Sequence, residues 1–185
     1  MKVGGRVVDP KKDIERIRKV RDAVGGDILL IADVNGAWTP QTAIEIIKKV
    51  QKCEVYIEQP TPTYNIEGLA EVKRNVEAPI IADESVNIPG EPRAVVEIAK
   101  ANAADMLNVK LIWPGGIHKQ MKLVRTAEIF DLPCTIDDGP ITTIGATALA
   151  HVAAAVPDKI FRFTYPCHRW TTPDLTKEGG LQIKK

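Results

Sequence analysis

Six short apolar runs punctuate the chain, at 28–32, 55–57, 79–82, 105–109, 133–136 and 160–163. Hydrophobicity within each run is continuous rather than alternating, as in parallel strands covered on both faces. Between the runs, apolar positions recur at helical spacing. Ile14, Ile17, Val20 and Val24 form one stripe, opened by Asp9-Pro10 and closed by Gly25-Gly26. Thr39-Pro40 opens a second helix in the same way, with Ala43, Ile47 and Val50 inward. Further helices are predicted over 66–75, 93–101, 117–130 and 144–156. Strand and helix therefore alternate about every 25 residues, the pattern of a parallel sheet with right-handed crossovers. No repeat or low-complexity tract interrupts this order. Residues 1–170 read as one domain, and 171–185 as a polar, glycine-containing tail.

Charged positions separate an open sheet from a closed barrel. Asp33, Glu58, Asp83 and Lys110 each directly follow an apolar run, at spacings of 25, 25 and 27 residues. In an open sheet these four strand ends would lie along a line. In a (β/α) barrel they curve round one mouth and can converge on one ligand. No G-x-G-x-x-G follows the first run, as a dinucleotide fold would want. The expectation is α/β, with about seven parallel strands of a TIM-type barrel. Such a barrel usually takes ~250 residues, and the chain has 185.

Composition narrows the function classes. Lys+Arg is 25 against 24 Asp+Glu, a net charge of +1, without the basic excess expected of a nucleic-acid binder. No apolar run approaches the ~18 residues of a membrane helix, and no signal peptide opens the chain. Cys53, Cys134 and Cys167 form neither a C-x-x-C pair nor a disulfide framework, and read as reduced thiols of a cytoplasmic protein. His151 lies in an apolar helical run and reads as packed; His168 could reach a pocket.

Three carboxylates at one mouth repel each other unless a cation sits among them. All are hard oxygen donors, and no His or Cys joins them, which selects Mg²⁺, or Mn²⁺, over zinc. Each acid taken singly could instead cap the helix that follows it. Lys2 ends a would-be strand before Asp33, so Lys2 and Lys110 lie four strands apart, opposed across an eight-stranded barrel. A carboxylate substrate bound to the metal would present its α-carbon between two bases, with Mg²⁺ stabilising the enediolate left when the α-proton departs. A lysine base has to titrate well below ~10.4. The competing role for Lys110 is a salt bridge to one of the carboxylates.

Five stretches carry a family resemblance: K-V-G-G at 2–5, D-V-N-G-A-W at 33–38, E-Q-P at 58–60, A-D-E-S at 82–85, and N-V-K at 108–110 followed by G-G-I at 115–117. The chain resembles the barrel domain of the enolase superfamily, in the muconate-lactonizing subgroup. The resemblance implies Asp33, Glu58 and Asp83 as Mg²⁺ ligands, Lys110 as base, Lys2 as the second lysine of a K-x-K pair, and Asn35 and Gln59 in support. Against the family pattern, the first lysine of K-x-K, the first barrel strand and the N-terminal α+β cap have no counterpart. F-R-F-T-Y-P lacks the D-x-D of dipeptide epimerases, and T-I-D-D-G-P lacks a cycloisomerase glutamate, which disfavours both activities.

Asp137 and Asp138 end the seventh strand. They could pair with a substrate cation walled by Tyr165 or Trp170, or D-D-G-P could simply be a hydrogen-bonded turn. The first reading resembles the branch acting on proline derivatives, the hydroxyproline dehydratases and proline-betaine epimerases. The expected activity is Mg²⁺-dependent α-proton abstraction from a small carboxylate, giving racemisation, epimerisation or dehydration. The alternative is an inactive barrel fragment, or part of an assembly completed by another chain. The expected partners are a small-molecule substrate and, through open barrel edges, a homo-oligomer or another chain. A metal-free phosphate-binding barrel lacks its Gly-rich loop.

Overall fold

The computed structural model describes residues 1–4, 9–165, 168, 171, 175 and 176. Five parallel strands, β1 (Leu30–Asp33), β2 (Val55–Glu58), β3 (Ile80–Ala82), β4 (Met106–Lys110) and β5 (Cys134–Asp137), pair in chain order. Lys2 bridges to Asp33 on one edge, and Phe161 to Cys134 on the other. The seven expected sheet positions are thus five strands flanked by two bridged segments. The sheet is curled. Laid flat, five inter-strand steps would put Lys2 roughly 24 Å from Asp137, yet both line one cavity of about 820 Å³. The fold is an incomplete TIM-type barrel. The proposed 171–185 tail falls almost entirely outside the described residues.

Around the sheet run α1 (Pro10–Val24), α2 (Pro40–Val50), α3 (Ile66–Asn75), α4 (Glu84–Asn87), α5 (Pro92–Lys100), α6 (Ile117–Ile129) and α7 (Thr143–Ala155). Local chemistry starts them. The side chains of Asp9, Thr39 and Asn65 accept backbone N–H bonds from Lys11, Thr42 and Gly68, which satisfies otherwise orphaned first-turn donors. Only α4 was absent from the pattern, being too short to show a period.

Alternation along each strand divides the labour. Leu30, Ala32, Ile57, Ile80, Ala82, Leu107, Val109 and Ile136 join the helices in the main apolar core. The residues between them, Ile31, Asp33, Glu58, Ile81, Asn108, Lys110 and Asp137, line the cavity. The inner face is therefore mixed rather than uniformly apolar. Ile28 and Leu29 belong to the first apolar run but precede the β1–β2 register, and each is about half exposed. On α1 the stripe is centred on the buried Ile17, whereas Val24 is exposed. His151 is exposed on α7, correcting its expected packing; its Nδ1 lies 2.8 Å from the Thr147 carbonyl.

Candidate metal centre and active site

Asp33, Glu58 and Asp83 stand at the carboxyl ends of three adjacent strands. The register pairs Asp33 with Glu58 and places Asp83 immediately after β3. All three are buried, and one oxygen from each lies within 4.8 Å of the others. An octahedral Mg²⁺ with bonds of about 2.1 Å would set neighbouring oxygens ~3 Å and opposite ones ~4.2 Å apart. The cluster is close to that size, and its donors are of the right chemistry.

Burial, then the charges of Asp33 and Asp83, push the Glu58 carboxyl up to about 9. Like charges crowded out of water cannot all ionise cheaply. Lys2 and Lys110 flank the cluster. The Lys2 ammonium pairs with Asp33 Oδ2, and its side chain is 69% exposed. Lys110 pairs with Asp83 Oδ2 and is only 15% exposed. The salt bridge that competed with the base role for Lys110 is therefore present. Burial by itself would lower the Lys110 ammonium, but Asp83, Asp137 and Glu58 together hold it above the usual lysine range. That is opposite to the direction a base needs. A cation among the carboxylates would compete for Asp83 and reverse the balance.

Asn35 and Gln59 sit just past β1 and β2 in the left-handed region, at φ 49° and 39°. The Asn35 N–H donates to Asp33 Oδ1 at 3.0 Å, and its side chain reaches Glu84 at 2.8 Å. Gln59 supports Asp83 rather than its neighbour Glu58. Its Oε1 accepts the N–H groups of Asp83 and Ser85 at 2.9 and 3.1 Å.

Asp137 and Asp138, adjacent in sequence, have separate surroundings. Asp138 accepts the N–H groups of Leu111, Ile112 and Gly139, at 3.1, 2.8 and 2.8 Å, so it braces the loop after β4. For Asp138 the turn reading is the one the hydrogen bonds support. Asp137 faces the cavity with Oδ1 buried and unpartnered. Burial first, then the Asp83 charge, pushes it up to about 7, against the pull of Lys110 and hydrogen bonds from Asn108 and Tyr165. Tyr165 lines the same cavity. Trp170 lies outside the described residues, as does Cys167. Cys134 is fully buried, which pushes its thiol up to about 12, so it carries no thiolate. His168 does not join the described residues lining the cavity.

Two buried amides that bond the acids, Asn87 and Asn108, were not foreseen as site residues. Asn108 had a visible signal, since it lies two residues before Lys110 on one strand and so shares its face. Asn87, four residues after Asp83, had none beyond the brevity of α4.

The family profile described as Enolase C-terminal domain-like matches residues 1–184, and the chain belongs to that family. The L-Ala-D/L-Glu epimerase of Clostridium acetobutylicum is 37% identical over 151 residues, covering 80% of this chain and 41% of that protein. The cis-3-hydroxy-L-proline dehydratase of Roseibium aggregatum is 34% identical over 184 residues, 99% of this chain and 48% of that one. The dipeptide epimerase of Cytophaga hutchinsonii, solved with Mg and the dipeptide D-Ala-L-Val, superposes with a TM-score of 0.83. It is 29% identical, over 94% of this chain and 46% of that one. The chain spans less than half the length of each of these proteins.

Proposed function

We propose that this chain forms the catalytic part of a Mg²⁺-dependent enzyme that removes the α-proton of a small carboxylate bearing an amine, an amino-acid or proline derivative. Racemisation, epimerisation or dehydration follows from that step. The observation that carries the reading is three buried carboxylates on consecutive strand ends with a lysine on either flank. Asp33, Glu58 and Asp83 would hold the ion. When bound, the ion supplies positive charge to the substrate carboxylate as its α-carbon loses the proton. Lys110, half-buried at the mouth, takes the α-proton. Lys2, on the opposite flank, serves the other face. Asp137 offers its unpartnered oxygen to the substrate ammonium, and Tyr165 forms part of the wall. Asp138 acts on the site through the loop that follows Lys110.

Dipeptide epimerases are among the similar relatives. Thr164 and Tyr165 nonetheless stand in F-R-F-T-Y-P without a carboxylate pair, which favours the proline-derivative class. The test is α-proton exchange in D₂O with proline derivatives and Mg²⁺, on this chain and on a form extended at both ends. Lys110→Ala should cut exchange about 10²–10⁴-fold while Mg²⁺ still binds. Unchanged exchange in that variant would remove Lys110 from the base role.

A second reading rests on the sheet edges. The segments at Lys2 and Phe161 are each bridged to the sheet on one side, and Lys2, Phe163 and Tyr165 line the same cavity. Unpaired parallel edges invite an added strand, so association with a second copy or another chain would complete the wall. A monomeric mass in solution that does not change with concentration counts against it.

A further inference from the structure

Each of the three carboxylates has one oxygen held at 3.0 Å or less by an amide of the protein. The Asn35 backbone N–H donates to Asp33 Oδ1 at 3.0 Å. The Asn108 side-chain amide donates to Glu58 Oε1 at 2.7 Å. The Asn87 side-chain amide donates to Asp83 Oδ1 at 2.8 Å. The donors come from a loop, a strand and a short helix, yet each does the same thing to a different acid.

Two of these amides are firmly placed. Asn87 is 1% exposed and Asn108 is 3% exposed. The Asn87 amide also reaches the carbonyls of Asp83 and Asn108 at 3.0 and 2.7 Å, while its Oδ1 accepts the Lys110 N–H at 2.9 Å. Turning it away would break four hydrogen bonds. The protein's own cations settle on the opposite oxygens: Lys2 on Asp33 Oδ2, with a longer 3.3 Å contact from the Asn35 amide, and Lys110 on Asp83 Oδ2.

Resting on the metal reading above, we infer that Asn35, Asn87 and Asn108 are positioning residues that limit each carboxylate to one outward oxygen, and so set the site's choice of ion. Ca²⁺ takes six to eight oxygens, often two from one carboxylate, whereas Mg²⁺ demands a near-ideal octahedron and keeps several waters. Three single oxygens suit the small ion and leave the large one short of ligands. An oxygen already accepting an amide N–H has less lone-pair capacity for a second metal bond.

The experiment is calorimetric titration of the full chain with MgCl₂ and with CaCl₂, without substrate, beside Asn87→Leu and Asn108→Leu. Near-ultraviolet circular dichroism and melting serve as controls of folding. The unaltered chain should bind Mg²⁺ more tightly than Ca²⁺. Each variant should weaken Mg²⁺ about 10–100-fold and Ca²⁺ much less, so that the affinity ratio falls at least fivefold. Asn87→Leu strands the Lys110 N–H; should it not fold, Asn108→Leu decides. A ratio that stays within twofold in Asn108→Leu, with both ions weakened alike, overturns the inference and leaves the carboxylate site standing. Failure of the unaltered chain to bind either ion overturns the metal reading and the inference with it. A ratio that shifts as expected, without any α-proton exchange, overturns only the catalytic reading.

Discussion

Glu58 sets the charge balance of the mouth. Its carboxyl is raised from an ordinary 4.5 to about 9 by burial and by Asp33 and Asp83, so folding takes up a proton between those values. Its stabilising contribution is fully present below 4.5 and is lost as the pH rises through about 9. In a chelator, the melting temperature should therefore fall with rising pH across this window. Glu58→Gln should flatten that fall, and added Mg²⁺ should raise the melting temperature most at the alkaline end. At Asp137, replacement by Asn should raise KM for an amine-bearing substrate about tenfold or more, measured by exchange kinetics, because a charge-assisted bond is lost. The positions of the acids and lysines at one mouth were legible, because a regular spacing and a charge after an apolar run survive in one dimension. The separate surroundings of Asp137 and Asp138 were not. Their difference depends on the loop at Leu111 and Ile112, 26 residues or more away.

At the scale of elements, the segment carrying Lys2 depends on α1. Asp13 is fully buried there, pairs with Arg16, and accepts the Gly4 N–H at 2.9 Å. Gly4 has φ +74°, and a Cβ at that position would lie 2.6 Å from Val34 Cγ1 and 2.9 Å from the Val34 carbonyl oxygen. Gly4→Ala should therefore cost about 1–3 kcal/mol in urea unfolding. Asp13→Ala should cost a similar ~1–3 kcal/mol, because it orphans a buried N–H. Both should speed hydrogen exchange at Val3 and Gly4 before they affect β3. The six longer helices were foreseen nearly residue for residue, since Asp9-Pro10, Thr39-Pro40 and the apolar stripes are local signals. The burial of Asp13 was hidden because a lone acid on a helix normally reads as solvated.

Across the whole molecule, apolar packing is thickest around the middle strands. Ile57, Ile80 and Leu107 are fully buried, while the flanking segments hydrogen-bond to one neighbouring strand each, Met1 and Val3 to Asp33 and Ile160, Arg162 and Phe163 to β5. Amide exchange followed by mass spectrometry should show β2, β3 and β4 as most protected and residues 1–4 and 160–163 as least. Ile57→Ala should cost about 2–5 kcal/mol, measured by denaturant unfolding. The curl of the sheet was readable from convergence of charge; what lies against its edges was not, since edge pairing leaves no periodic trace.

The even stride of the three acids along the chain also bears on the order of assembly. Asp33, Glu58 and Asp83 fall in successive strand-and-helix units, so every neighbouring pair closes a loop of one unit. Short loops close early and cheaply. As the chain emerges from the ribosome and folds from its amino end, all three acids are in place before β4 delivers Lys110. That order supplies the carboxylates of the proposed cation site one strand-and-helix unit ahead of the lysine proposed to remove the proton.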